Sequence, residues 1–374
     1  MAGIYIHIPF CKKACHYCNF HFSIAKDKLP AMVKAIRKEA ALNRSYLSEN
    51  IGTIYFGGGT PSLLSKEEIR TIIDGLRDLF DVEDNAEITL ESNPDDISLK
   101  SLSGWKAAGI NRLSIGIQSF FEEDLQWMNR AHNAEQALNA VKLAQQEGFH
   151  NITIDLIYGT PSLTDEKWRQ NIETALALRV PHLSCYALTV EPKTALAKMI
   201  ATHQSDDVDA DKQARHFSIL TERLTAAGFE HYEISNFALP GFRSRHNSSY
   251  WQGRPYLGLG PSAHSFNGKS RQWNIANNSL YVTAIEKGEI LFEEELLTDT
   301  QRLNEYIMTS LRTVEGTSLS KISLDFGGSK ALVFSEAAQK HIGRGHLINV
   351  NDVLQLTAEG KFLADGIAAD LFFV

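Results

Sequence analysis

At 374 residues, with a formal charge of −8 and a pI near 5.9, the chain is long enough for two domains and too acidic for a general nucleic-acid binder. Its composition, 43% hydrophobic and 22% charged, is that of an ordinary globular protein rather than a fibrous or disordered one. No run approaches the roughly 20 apolar residues that cross a bilayer, and MAGIYIHIPF lacks the basic start and small-residue cleavage site of a secretory signal, so a cytoplasmic protein is expected.

Strand-like runs at 3–9, 53–57, 87–93, 111–118, 151–158 and 182–189 alternate with helix-like stretches at 30–48, 65–80, 98–108, 133–148, 164–178 and 209–228. That alternation predicts a parallel sheet with right-handed crossovers. Within the strands, Ile4, Ile6 and Ile8 oppose Tyr5 and His7, and Ile54 and Phe56 oppose Thr53, Tyr55 and Gly57. Ile88 and Leu90 oppose Glu87, Thr89 and Glu91. Leu113, Ile115 and Ile117 oppose Arg112, Ser114, Gly116 and Gln118, and Ile152, Ile154 and Leu156 oppose Thr153 and Asp155.

Side chains of period two give each strand an apolar face for the helices and a polar face on the other side. A closed eight-stranded α/β barrel fills its lumen with branched apolar residues. Polar inner faces therefore predict a wider, incomplete barrel around a polar ligand. An open sheet with one solvated face is the alternative, and it suits antiparallel sheets better. Gly57, Glu91, Gln118 and Asp155 fall at or near the C-terminal strand ends on the polar side, where barrel active sites gather.

From about residue 236 the rhythm changes. Residues 236–300 are rich in Asn, Ser, Gly and aromatics, 301–314 read as an amphipathic helix, and the tail from 345 reads as two short strands around an Asn-Asp turn, then a helix. The predicted fold is α/β: a partial (β/α)6 TIM-like barrel over 1–235, then a smaller C-terminal α+β, winged-helix-like module within 236–374.

Three of the four cysteines, Cys11, Cys15 and Cys18, lie within eight residues directly after the first strand. This is no disulfide framework for so long a chain. Three thiolates at this spacing can wrap an iron–sulfur cube, leaving its fourth iron open to a small ligand. A structural zinc site would need His16, His21 or Cys185 as fourth ligand, and such sites prefer paired Cys-x-x-Cys knuckles; Cys185 reads as a buried strand residue.

Gly57-Gly58-Gly59-Thr60-Pro61-Ser62 follows the second strand and lets backbone amides approach a charged ligand. It is no P-loop, because no Lys-Ser/Thr pair follows. Glu91 and Gln118 can accept from a ribose hydroxyl or an ammonium, Arg130 can pair a carboxylate, and Asp155 can accept from ribose hydroxyls.

The CxxxCxxC run after a first strand resembles the signature of the radical S-adenosylmethionine (SAM) superfamily. The resemblance implies a [4Fe-4S] cluster on Cys11, Cys15 and Cys18 whose open iron binds the amino and carboxylate groups of SAM. It further implies that the glycine motif grips the methionine amino group. YIHIPFC, GGGTPS, ESNP, RLSIGIQSF, Arg130-Ala-His132 and DLIYGTP, with the late EYIMTSLRTVEG, resemble the anaerobic coproporphyrinogen III oxidase-like subfamily and its heme-chaperone branch through nearly the whole chain. Matched by position, its SAM-contacting residues fall on Tyr5, Tyr17, Gly58, Gly59, Thr60, Glu91, Gln118, Arg130 and Asp155.

Three features separate the two branches. The oxidase has a fourth cysteine two residues after the third, where this chain has Phe20, and a long N-terminal extension, where Cys11 has ten residues before it. His246-Asn247-Ser248-Ser249-Tyr250 matches the HNxxY motif with which the chaperones bind heme. A neutral imidazole ligates heme iron, and Tyr250 lies one helical turn from His246; the competing reading is two hydrogen-bonded loop residues.

The expectation is a heme-binding protein that delivers heme to respiratory apoproteins, its cluster and SAM serving transfer or regulation, with no catalytic residue assigned. The rival is an oxygen-independent coproporphyrinogen III oxidase, a radical SAM decarboxylase of propionate side chains. Reductive opening or methylation of the heme ring is a third reading without a marker of its own. A homodimer and peripheral membrane contact are compatible with this sequence.

Overall fold

The computed structural model describes residues 1–374. Strands β1 (Ala2–Ile8), β2 (Ile51–Gly58), β3 (Val82–Ser92), β4 (Arg112–Gln118), β5 (Ile152–Tyr158) and β6 (His182–Ala187) lie parallel and in chain order, as the alternation requires. Their crossovers carry α1 (Leu29–Leu42), α2 (Lys66–Leu79), α3 (Leu99–Ala107), α4 (Glu122–Trp127), α5 (Ala134–Gln146) and α6 (Asp165–Ala177). Helix starts are written locally: Ser65 forms a capping box with Glu68, and Asn133 forms one with Gln136. In α2, Ile69, Ile72, Ile73 and Leu76 recur at helical spacing and are buried.

Ile4, Ile6, Ile8, Ile54, Phe56, Leu90, Leu113, Ile115, Ile117, Ile154 and Leu156 face these helices in one continuous core. Each such side chain contributes about 1.5–3 kcal/mol by leaving water. The opposite faces are polar and also buried: Thr53, Glu87, Arg112, Thr153 and His182 are all at most 5% exposed.

After α7 (Ala195–Ala201) and α8 (Ala210–Ala226), β7 (Glu230–Glu233) and β8 (Asn236–Ala238) extend the sheet antiparallel from β6. A short helix, α9 (Arg245–Trp251), leads to β9 (Tyr256–Leu259), which pairs parallel with the free edge of β1. Strands β10 (His264–Phe266), β11 (Ser270–Asn274) and β12 (Phe292–Leu296) continue antiparallel, with α10 (Asn278–Lys287) packed on α1. The result is a single open sheet of 12 strands, so the expected division near residue 236 falls inside it. The short Asn-, Ser- and Gly-rich strands of 236–296 carry few periodic residues, which hid their sheet character. Their apolar anchors, Phe237, Leu257, Leu259, Tyr281 and Ile285, belong to the barrel core.

A second core begins at Leu303. It joins α11 (Asp299–Leu311), β13 (Thr317–Ser318), α12 (Leu319–Phe326), α13 (Gly328–Gly343), β14 (Leu347–Val350), β15 (Val353–Leu356), α14 (Ala358–Phe362) and α15 (Ala364–Asp370). Asn351 and Asp352 both take positive φ, 53° and 64°, as a two-residue hairpin turn demands. The expected hairpin-and-helix module is therefore present. No helix is long and apolar enough to cross a membrane.

Glu39 of α1 ties the added strands to the barrel. Fully buried, it accepts from the Gly260 amide at 2.8 Å, from Asn274 Nδ2 at 2.5 Å and from the Tyr281 hydroxyl. Burial pushes its carboxyl up to about 7, against the pull of these three donors. The folded pKa thus lies above the unfolded one, so the stability it lends is complete below the unfolded value and lost as pH rises through about 7. Across about pH 5 to 8, thermal melts should show the native chain losing more stability than Glu39→Gln, which keeps only the contribution of other raised groups; parallel slopes would assign the pH dependence elsewhere.

Candidate functional site

The cysteine loop follows β1 directly and is pinned by backbone on both flanks. The Cys11 amide donates to the Ser23 carbonyl at 3.0 Å and the His16 amide to the Met128 carbonyl at 3.1 Å. His16 Nδ1 lies 2.7 Å from the Trp127 carbonyl, Asn129 donates to the Ala14 carbonyl, and Lys12 pairs with Asp95 and Asp96. Cys11, Cys15 and Cys18 are each partly exposed. Burial pushes the Cys11 thiol up to about 11 and also raises Cys18, so a thiolate here calls for a positive partner.

One such partner is Arg130, whose Nη1 donates to Cys15 Sγ and to the Tyr17 hydroxyl, both at 3.3 Å. The donors that would complete a zinc tetrahedron are engaged elsewhere. Cys185 is buried in β6, His21 Nε2 bonds Asn278 at 2.7 Å, and no three His, Cys, Asp or Glu side chains surround a common ion position. A cube asks for one thiolate per iron, and three partly exposed thiols on one short loop can supply three of them.

Above the strand ends, the glycine motif packs against this loop. A Cβ on Gly59 would lie 2.7 Å from the carbonyl oxygens of Ile8 and Phe10, and Gly58 has a φ of +103° with the His7 ring against it. Glycine is thus required for backbone approach as well as for ligand access. Glu91 accepts from the Tyr55 hydroxyl at 2.8 Å and the Gly58 amide at 3.2 Å. Thr60 receives Asn93 Nδ2 at 3.3 Å, and Arg130 Nη2 bonds Asn93 Oδ1 at 2.7 Å and the Gly116 carbonyl at 2.9 Å.

Gln118 ends β4 in a left-handed conformation, φ 66°, beside a register shift in the β4–β5 pairing. Such strain collects at functional sites. Asp155 sits in mid-strand rather than at the end of β5, within 3.5 Å of Ser114 Oγ. Burial pushes Asp155 up to about 6; burial, then the charge of Asp155, pushes Glu91 up to about 7. Tyr5 stacks on Tyr55 with ring centroids 6.1 Å apart. The expected SAM-contacting residues therefore converge on the mouth of the lumen, below the cysteine loop.

The HNxxY residues sit together on α9, with His246 and Tyr250 in contact. His246 lies at the opposite, lower end of the lumen, 1% exposed. Its Nδ1 is 2.8 Å from Thr53 Oγ1, its Nε2 is 2.9 Å from the Tyr250 hydroxyl, and its ring stacks on Tyr55 at 4.9 Å. Glu87 Oε1 and Oε2 accept the His246 and Arg245 amides at 3.0 and 3.2 Å, seating α9 in the barrel. Burial, with Arg112 nearby, lowers the His246 imidazole to about 3. In this arrangement both ring nitrogens are committed to protein groups. Asn247 and Tyr250 line a hollow of about 320 Å3, and Tyr250 also faces a larger cavity.

That cavity, about 870 Å3, lies between the β1–β9–β10–β11 edge of the sheet, the end of the cysteine loop and helices α11 and α12. Phe20, Tyr250, Trp251, Tyr256, Phe266 and Phe326 give it aromatic walls. Arg254, Arg271, Arg302 and Lys321 face Glu305 and Asp325 in its lining, four cations against two carboxylates, in a chain of net charge −8. Arg271 pairs with both oxygens of Glu305 at 2.9 and 3.1 Å, and Lys321 pairs with Asp325 at 2.6 Å. Sequence reading missed these cations, because they come from separate elements and share no local pattern.

Residues 5–175 match the radical SAM superfamily and residues 297–363 the HemN C-terminal domain. The chain is 33% identical to the heme chaperone HemW of Bacillus subtilis, over 98% of both chains. It is 34% identical to heme chaperone HemW of Mycobacterium tuberculosis, over 99% of this chain and 94% of that one. With heme chaperone HemW of Escherichia coli it shares 31% identity over 98% of this chain and 96% of its relative. Its fold is similar to that of coproporphyrinogen III oxidase (HemN) from Escherichia coli, TM-score 0.85 at 24% identity, covering 99% of this chain and 90% of the other. A glycine-gripped cysteine loop over a polar lumen, together with likeness along the whole length, shows that the chain belongs to the HemW family of the radical SAM superfamily.

Proposed function

We propose that this protein binds heme in the cavity between barrel edge and C-terminal helices and passes it to respiratory apoproteins. Cys11, Cys15 and Cys18 would hold a [4Fe-4S] cluster, with SAM against Gly58, Gly59, Thr60, Glu91, Gln118 and Asp155. The observation that carries the reading is the cavity itself. Its volume, about 870 Å3, falls within the range of small-molecule sites, its walls are aromatic, and its lining has a surplus of two cations. A flat macrocycle with two propionates needs that combination, and relatives named as heme chaperones along their full length support it.

Two features of the lumen support SAM. Glu91 and Asp155 are partly buried carboxyls pushed up by loss of solvent, and a sulfonium or ammonium placed beside them would favour their charged forms. Arg130, held by Asn93 and Gly116 and with a free buried Nε, is aimed for a carboxylate while its Nη1 steadies Cys15. When bound, the cluster supplies the electron for reductive chemistry on SAM. The protein's part is to orient, to exclude water and to bring the loop that begins at Asn19 within the walls of the heme cavity. Adjacent free thiols of this kind suit a reducing, cytoplasmic setting.

Anaerobic reconstitution with iron and sulfide should give cluster absorbance in the native chain and in Cys185→Ser, and none in Cys11→Ser, Cys15→Ser or Cys18→Ser. A stable zinc in that loop, or a cluster that survives all three changes, would defeat the assignment. Heme titration of a His246→Ala, Tyr250→Ala double variant should show affinity about tenfold lower, near 1.4 kcal/mol, because Tyr250 leaves the cavity wall; equal affinity would place heme elsewhere. Given coproporphyrinogen III, SAM and a reductant without oxygen, the protein should form no protoporphyrinogen, and steady turnover would favour the decarboxylase instead.

A further inference from the structure

We propose that Lys12, through its ion pairs with Asp95 and Asp96, positions the cysteine loop against the glycine motif and so sets the affinity for SAM. This rests on the SAM reading above and adds to it a positioning residue outside the expected SAM contacts, one that acts by placing other groups.

SAM has to meet two segments at once, the open iron on the cysteine loop and the glycine motif at 57–62. Its affinity therefore depends on the spacing between them, because a ligand in register with one and not the other forfeits half of its contacts. Two hydrogen-bonded struts fix that spacing. The first runs from Cys15 Sγ to Arg130 Nη1 at 3.3 Å, from Arg130 Nη2 to Asn93 Oδ1 at 2.7 Å, and from Asn93 Nδ2 to Thr60 Oγ1 at 3.3 Å. Arg130 and Thr60 are themselves aimed at the ligand, so this strut is shared with it.

The second strut contains no expected SAM contact. Lys12 Nζ donates to Asp95 Oδ2 at 2.6 Å and pairs with Asp96 Oδ1. Asp96 Oδ2 accepts at 2.7 Å from the hydroxyl of Ser62, the last residue of the glycine motif. Ser62 Oγ in turn receives the Asn93 amide at 3.4 Å, which joins the two struts into one circuit. Ser101 Oγ of α3 donates to the Asp96 carbonyl at 2.9 Å and fastens the acidic turn from behind.

Electrostatics make Lys12 the member on which this strut depends. The Asp95 and Asp96 side chains are only 10% and 6% exposed, they are neighbours in the chain, and Lys12 is the one cation paired with either. Without it the two carboxylates repel each other unscreened, and Asp96 is drawn away from Ser62 toward water. Lys13 offers the contrast, since it reaches the Arg130 carbonyl at 3.4 Å and pairs with no carboxylate. A general effect of loop charge would make the two lysines alike, whereas a strut makes them different.

The test is anaerobic reconstitution of the full-length protein, reduction with dithionite and titration with SAM, followed by the electron paramagnetic resonance signal of the reduced cluster. The native chain, Lys12→Met, Lys12→Arg and Lys13→Met should all take up the same iron and sulfide. Half-saturation with SAM is expected at about tenfold higher concentration in Lys12→Met, near the native value in Lys13→Met, and back toward it in Lys12→Arg, which keeps the charge and the reach. Adding Asp95→Asn and Asp96→Asn to Lys12→Met should raise it no further, because all three changes cut the same strut. A native response in Lys12→Met, an equal shift in Lys13→Met, an additive loss in the combined variant, or a Lys12→Met chain that assembles no cluster each overturns the inference while SAM binding stands. A native cluster whose signal ignores SAM overturns the SAM reading and the inference with it.

Discussion

A parallel sheet whose inner face is both polar and buried holds together only if that face is given partners, and here the partner is the carboxylate of Glu87. It accepts two amides at the start of α9 and faces Arg112 Nε across 3.9 Å, so one buried acid seats a helix from the second half of the chain inside the first half's barrel. Removing one member of such a buried group typically costs 3–5 kcal/mol, because the other charge is left unpaired. Thr53, Tyr55 and Tyr250 then close around His246, and the lower lumen becomes solid.

Filling the bottom defines the top. Toward the C-terminal strand ends, Glu91, Arg130 and the glycine motif meet on the polar face. Helix α9 ends in Tyr250 and Trp251, which form part of one wall of the large cavity. One element thus joins the two sites: its start plugs the barrel and its end faces the proposed cargo. The cysteine loop makes the complementary link, since its thiols face the lumen while Asn19, Phe20 and His21 line the cavity.

In the HNxxY segment the local reading and the fold agree on geometry. The i, i+4 spacing of His246 and Tyr250 does form a helix, and the two side chains do meet. Whether a histidine is a ligand or a filler depends on what surrounds it in space, however, and Thr53 lies 193 residues away in the chain.

From the sequence alone came the six parallel strands, their two unlike faces, the helices between them, the cysteine loop and the hairpin turn at Asn351-Asp352, because period and turn chemistry are local properties carried by neighbouring residues. Whole-chain resemblance carried the family in the same way. Only the tertiary structure decided that residues 236–296 complete the barrel sheet, that Glu39 and Glu87 bind the chain's halves together, and that cations from separate elements share one aromatic cavity. Those outcomes depend on long-range packing and on the burial of charge, which leave no periodic trace along the chain.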